Sequence, residues 1–185
     1  GSMITPFFAA GPIRTWTDAD RADRKAFGRW HAAMIKEGVH WPPAQFEAHP
    51  EYFAERSGTR VPDERCLSSP EVLRITVDSL RALIQRKPSA EYWSVSQMDN
   101  FNHCQCPQCH RTDSIEGSPS GSIIRFANAV ADSFPEKVIS TLAYQYSRTA
   151  PKVTKPRRNV NIMLCSIEED RSRPIATRDQ PARIR

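Results

Sequence analysis

The chain has 185 residues, 39% of them hydrophobic and 25% charged, a length and composition that suit one globular domain or part of a larger one. Nothing in it approaches the roughly 18 consecutive apolar residues that a membrane helix requires, so no membrane span is expected. The net charge of +5 is not spread over the chain: residues 171–185 carry five arginines and one aspartate, and the remainder is close to neutral. No basic stripe interleaves with aromatics, so no nucleic-acid partner is expected.

Gly1-Ser2-Met3 reads as a tag remnant before a start methionine. The apolar run from Ile4 to Ala10 lacks a basic flank and makes a poor signal peptide. From Thr17 to Lys36 the spacing of Phe27, Trp30, Ala33 and Met34 predicts a helix, capped by Thr17 or Asp18 and stopped at Gly38. Val39 to Trp41 follows as a short strand, ended by Pro42 and Pro43. The run "AQFEAHPEYFAERSG" predicts one or two short helices broken at His49-Pro50.

"CLSSPEVLRITVDSLRALIQRKP" is the clearest helix. Ser68 and Glu71 form a capping box around Pro70, and Leu73, Val77, Leu80 and Ile84 form an apolar stripe. "EYWSVSQ" is a strand. "SPSGSIIRFANAVADSF" is a second helix, with Ile123, Phe126, Ala127, Val130 and Phe134 on one face. "KVISTLAYQYS" and "NVNIMLCSIEE" are two further strands whose near-continuous apolar runs suggest cover on both faces. Alternating helices and strands imply an α/β fold with a parallel sheet and outer helices. The expected limits are a domain over residues 4–169 and a disordered Arg-rich tail over 170–185.

Parallel sheets bind ligands at the C-terminal ends of their strands. His40 and Trp41 end the first strand. Gln97, Asp99 and Asn100 follow the second, Tyr144 and Tyr146 end the third and share a face by strand alternation, and Glu168 and Glu169 follow the fourth. Aromatic faces stack on sugar rings while carboxylates and amides bind hydroxyls, so this rim suits a glycan. Asp99 and Glu168 are the candidate catalytic pair. One would protonate the leaving oxygen and the other activate water or attack carbon, the outcome set by their separation. Gln97, Asn100, His40, Trp41, Tyr144 and Tyr146 are the candidate substrate-binding residues. On the bland reading Asp99 caps the next helix and Glu168 is solvated charge.

Between Asn102 and His110 lies "NHCQCPQCH". Cys104, Cys106 and Cys109 sit in a C-x-C-x-x-C pattern, which brings thiolates onto one turn as structural zinc sites do. Zinc wants a fourth ligand, and His103, His110, Cys66 and Cys165 all remain open. A disulfide or a plain reduced loop would use the same residues. If zinc binds, it would clamp the loop that carries Asp99 and Asn100.

The blocks "HPEYFAERSGTRV", "CLSSPEVL", "YWSVSQMDN", "CQCPQC", "EGSPSGSIIRFANAVA", "STLAYQYSRTAPK" and "NVNIMLCSIEEDRSRPI", in this order, resemble the bacterial domain of unknown function 4838. That family is similar in organisation to the catalytic barrels of alpha-glucuronidases and beta-hexosaminidases. The resemblance implies a (β/α)8-type TIM barrel, here partial, a role in glycan breakdown, and secreted or periplasmic relatives. It implies no particular reaction. Met98 and Glu169 depart from the family's pattern, which favours a polar residue and a cysteine there. A full barrel needs about 250 residues, so a partial barrel with exposed edges prone to self-association is expected. The expectations are thus a glycoside hydrolase fragment, a non-catalytic glycan-binding module, or a zinc-stabilised structural domain.

Overall fold

The computed structural model describes residues 46–165 continuously, with scattered positions between 11 and 29. The chain divides into two compact units, Gly1–Ala48 and His49–Arg185. In the first, Thr17, Asp18, Lys25, Ala26 and Arg29 are helical, but Arg21 to Asp23 are not. The predicted single helix is therefore interrupted. The Asp23 carboxylate caps the second piece by accepting from the backbone N–H groups of Lys25 and Ala26, both at 2.9 Å.

The second unit opens with a 3-10 turn, Pro50–Tyr52, and then a hairpin of β1 (Phe53–Arg56) and β2 (Thr59–Arg65). Ser57 and Gly58, at φ 50° and 79°, make the two-residue turn between them. Two left-handed residues in succession match the right-handed twist of a hairpin. The sequence reading expected short helices as far as Gly58 and assigned no element to β2. "FAERSGTRVPDER" carries no apolar alternation, and Pro62 lies inside β2. The structure tolerates that proline because it is exposed on a two-stranded ribbon.

Helix α1 (Pro70–Arg86) begins one residue later than predicted. Ser69 is its cap, accepting from the Val72 N–H at 3.4 Å, while Glu71 turns outward to Arg74. Strand β3 (Tyr92–Ser94) leads through a loop into α2 (Pro107–Glu116) and α3 (Ser120–Asp132), then β4 (Val138–Ala143) and β5 (Val160–Leu164). The three strands form a parallel sheet in the order β3-β4-β5. This is the α/β arrangement the alternation implied. Val72 and Leu80 of α1, Phe126, Val130 and Ala131 of α3, Phe134 and Ile139 form its buried core. The stripe read from α1 packs there too: Leu73, Val77 and Ile84 lie against that core.

Two further features position the sheet. Glu116 is fully buried at the end of α2 and holds the connector between β4 and β5. Its carboxylate accepts from the Val153 and Thr154 N–H groups at 3.0 and 2.9 Å and from Arg125 at 2.6 Å. A Cβ on Gly121 would lie 2.2 Å from Glu116 Cγ, so only glycine fits there. Strand β5 differs from expectation. Asn161 to Leu164 are all exposed, because among the described strands β5 pairs with β4 alone. Its apolar run does not report cover on both faces.

Candidate metal centre and carboxylate rim

Cys66 follows β2 directly, and Cys104, Cys106 and Cys109 lie on the approach to α2 and in its first turn. Cys106 is the residue before Pro107 at the helix start, so Cys109 sits one turn further along the same face. The hairpin brings Cys66 to these three. All four thiols are free and buried, and their sulfurs lie within 4.8 Å of one another. Cys66 and Cys106 Sγ are 3.8 Å apart. A tetrahedral zinc with Zn–S bonds of about 2.3 Å has S···S edges of about 3.8 Å. The four sulfurs therefore suit a soft, four-coordinate ion.

The surroundings of the sulfurs are polar in the right sense. The Glu55 N–H donates to Cys104 Sγ at 3.3 Å, and Glu55 O accepts from Gln105 N–H at 2.7 Å. The Ser68 hydroxyl lies 3.3, 3.5 and 3.2 Å from the sulfurs of Cys66, Cys106 and Cys109. Such hydrogen bonds from neighbouring groups fix ligand orientation in metal sites. Hydrogen bonds from Cys104 and Cys109, with further help from Ser68 and Arg60, hold the Cys66 thiol far below its ordinary value. Cys109 is pushed far up by its bonds to Cys104 and Cys66 and by burial. The Cys66 thiolate forms readily here while Cys104 and Cys109 resist ionising, a conflict that a dication would relieve.

The fourth member of the group is thus Cys66. His103 instead packs its ring on Tyr146 with centroids 5.3 Å apart, His110 is exposed, and Cys165 lies at the end of β5. Sequence spacing had no means to choose Cys66, since it lies 38 positions before Cys104. Ser68, read as a helix cap, serves the sulfurs.

At the strand ends Asp99 is exposed. Its Oδ1 accepts from the Tyr144 hydroxyl at 2.7 Å and the Gln145 amide at 3.3 Å. It does not cap α2, whose preceding residue is Cys106. Gln97 is engaged at both ends: it donates to Tyr144 O at 3.1 Å and accepts from the Ser147 hydroxyl. Asn100 donates to Asp63 O at 2.6 Å and accepts from the Asn102 N–H at 2.7 Å. These two amides shape the loop through contacts within the protein.

Tyr144 and Tyr146 do not share a strand face. The strand ends at Ala143, and Gln145–Ser147 form a 3-10 turn with Gln145 at φ 48°. Tyr144 turns to Asp99, whereas the Tyr146 hydroxyl donates to Glu64 Oε2 at 3.2 Å. Glu64, only 4% exposed, is a residue the sequence reading missed. Burial pushes its carboxyl up despite the hydrogen bonds it accepts. Nothing in "VPDERC" marks one acid as buried. Beside it opens a cleft of about 230 Å³, with Arg65, Ser96 and Gln97 on its polar side and Val72, Ile123 and Phe126 on its apolar side. His40, Trp41, Glu168 and Glu169 lie outside the described residues.

No solved structure matches the chain. A stretch of 48 residues, 26% of the chain and 11% of the relative, is 56% identical to a glutamate-1-semialdehyde 2,1-aminomutase of Sorangium cellulosum (strain So ce56). A stretch of 74 residues, 40% of the chain and 16% of the relative, is 39% identical to the Rhodopirellula baltica protein of the same name. The chain therefore spans only a small part of these curated relatives. Much broader is the match to a family description over residues 16–184, which takes in the hairpin, the cysteine group, both crossover helices and the parallel sheet. On that match the chain belongs to the family called domain of unknown function 4838.

Proposed function

We propose that this chain is part of a carbohydrate-active protein, a glycoside hydrolase of the carboxylate-pair type, stabilised by a structural zinc. The observation that carries the reading is Asp99. It is an exposed carboxylate in the loop that follows the C-terminal end of the parallel strand β3, held by the Tyr144 hydroxyl at 2.7 Å. Glu168 remains the proposed partner, and His40 and Trp41 the proposed stacking and hydroxyl-binding residues. The parallel β3-β4-β5 order, with helices in the β3–β4 crossover, is consistent with one segment of a (β/α)8 barrel. A row of polar side chains, Ser94, Ser140 and Asn161, crosses the sheet in register. It would line such a barrel's interior near the sugar. The aminomutase relatives share stretches too short to support that activity here.

Zinc would be held by Cys66, Cys104, Cys106 and Cys109. A site closed by four thiolates has no open position, so its contribution is structural. It would staple the hairpin to α2. This second observation favours, as the alternative, a zinc-stabilised domain without activity of its own.

Hydrolysis and binding of a glycan panel, measured on the native chain and on Asp99→Asn, test the proposal. An enzyme loses turnover about 100-fold or more while still binding sugar. A binding module shows no turnover in either form. Unchanged turnover in Asp99→Asn would reject the assignment. Elemental analysis giving one zinc per chain supports the staple.

A further inference from the structure

We propose that Glu64 is a positioning residue: the strut through which the cysteine site sets the place of Asp99. The inference rests on the metal reading above. Glu64 lies in β2, two residues before Cys66. Its Oε2 accepts from the Met98 N–H at 2.9 Å and from the Tyr146 hydroxyl at 3.2 Å, and its Oε1 from the Arg65 N–H at 2.8 Å. Met98 immediately precedes Asp99. Tyr146 belongs to the 3-10 turn that contains Gln145, one of the two donors to Asp99. A single buried carboxylate therefore touches both chain segments that hold the exposed one.

The neighbouring residue reinforces the link. Asp63 O accepts from the Asn100 amide at 2.6 Å, and Asp63 Oδ2 accepts from the Asn102 amide at 2.8 Å. Asp99 is thus bracketed, at Met98 and Asn100, by two anchors on the last residues of β2. The other end of that strand segment is fixed by Cys66. Its N–H donates to Tyr52 O at 2.9 Å, and its sulfur lies in the cysteine group. Glu64 and Cys66 are joined by extended chain, which has little slack. A shift of Cys66 therefore moves Glu64, and with it the Met98 and Tyr146 partners. A carboxylate suits this role because it accepts several hydrogen bonds at once and donates none.

The test uses the full chain loaded with zinc, or with cobalt as a spectroscopic substitute. Amide hydrogen exchange at Met98 is the readout. In Glu64→Ala the four-sulfur cobalt bands should persist, while exchange at Met98 rises about tenfold or more. Glu64→Gln, which keeps one acceptor oxygen, should restore most of the protection. Removing the metal from the native chain with a chelator should raise exchange at the same amide. Unchanged Met98 exchange in Glu64→Ala with the bands intact would overturn the strut. So would unchanged Met98 exchange after metal removal, even if both Glu64 variants fail to fold. Loss of the cobalt bands in Glu64→Gln would assign Glu64 to the cysteine site itself and also overturn it. A native chain that takes up no cobalt and no zinc would instead remove the metal reading on which the coupling rests.

Discussion

The His49–Arg185 unit has two cores made by different means. Around β4, seven residues including Phe126, Val130, Phe134 and Ile139 bury an apolar cluster between two helices and a sheet. Beneath the hairpin, the buried cluster is Ala54 and four cysteines, with Val61 against it. The first is held by removing hydrocarbon from water. The second has too little hydrocarbon to rely on that, and its four thiols crowd each other. The hairpin half should therefore depend on a bound ion, and the sheet half should not.

The largest expected effect follows from that contrast. Structural zinc contributes about 10–16 kcal/mol of apparent binding free energy in small zinc domains. Chelation, or Cys66→Ser, should unfold the hairpin and the approach to α2 while leaving exchange protection in β4 and α3. Loss of both together would break the comparison. Next comes Phe134→Ala, which should cost about 3–5 kcal/mol by leaving a cavity in the apolar core. Chemical denaturation of the metal-loaded chain would read this, with the cobalt spectrum unchanged until global unfolding.

Glu116 sharpens the comparison, because it is a polar feature inside the apolar half. Burial alone would push its carboxyl up. The hydrogen bonds from the Thr154 hydroxyl and N–H, Arg125 and Val153 outweigh it and hold the pKa at about 2. An ordinary glutamate titrates near about 4.3. Its folded value is depressed, so its stabilisation is complete above the ordinary value and is lost as pH falls toward about 2. Glu116→Gln should flatten the acid limb of a stability-versus-pH curve in that window. Glu116→Ala should cost about 2–3 kcal/mol at neutral pH by stranding its donors. The smallest effect is expected on the surface. Ile162, Met163 and Leu164 of β5 are 38%, 54% and 45% exposed. If this edge drives self-association, Met163→Lys should lower the mass seen by light scattering at high concentration. Its effect on monomer stability should stay within about 0.5 kcal/mol.

The apolar half was the legible one. Helices α1 and α3 follow from hydrophobic spacing, because there packing and periodicity agree, and the three strands follow from their apolar and aromatic runs, although β5 leaves its run exposed. The hairpin was not legible. Its strands are charged, and its turn signal is only Ser57-Gly58. The C-x-C-x-x-C pattern announced three sulfurs, since those are close in sequence. Cys66 and Glu64 reach the site through the hairpin fold, and no local pattern encodes that approach. Tyr144 and Tyr146 were placed on one face by extending the strand rule past Ala143, where the backbone had already turned.

One glycine ties two loops together in a way that bears on how such sequences can change. The path from β4 to β5 is fixed in part by Glu116, which lies on the preceding crossover. Glu116 in turn occupies the space that any side chain at position 121 would need. Positions 116 and 121 therefore cannot drift separately. A larger residue at 121 would be tolerated only alongside a shorter one at 116, and the connector would then need a new set of acceptors. In aligned relatives the two positions should change as a pair, and connector length should change with them.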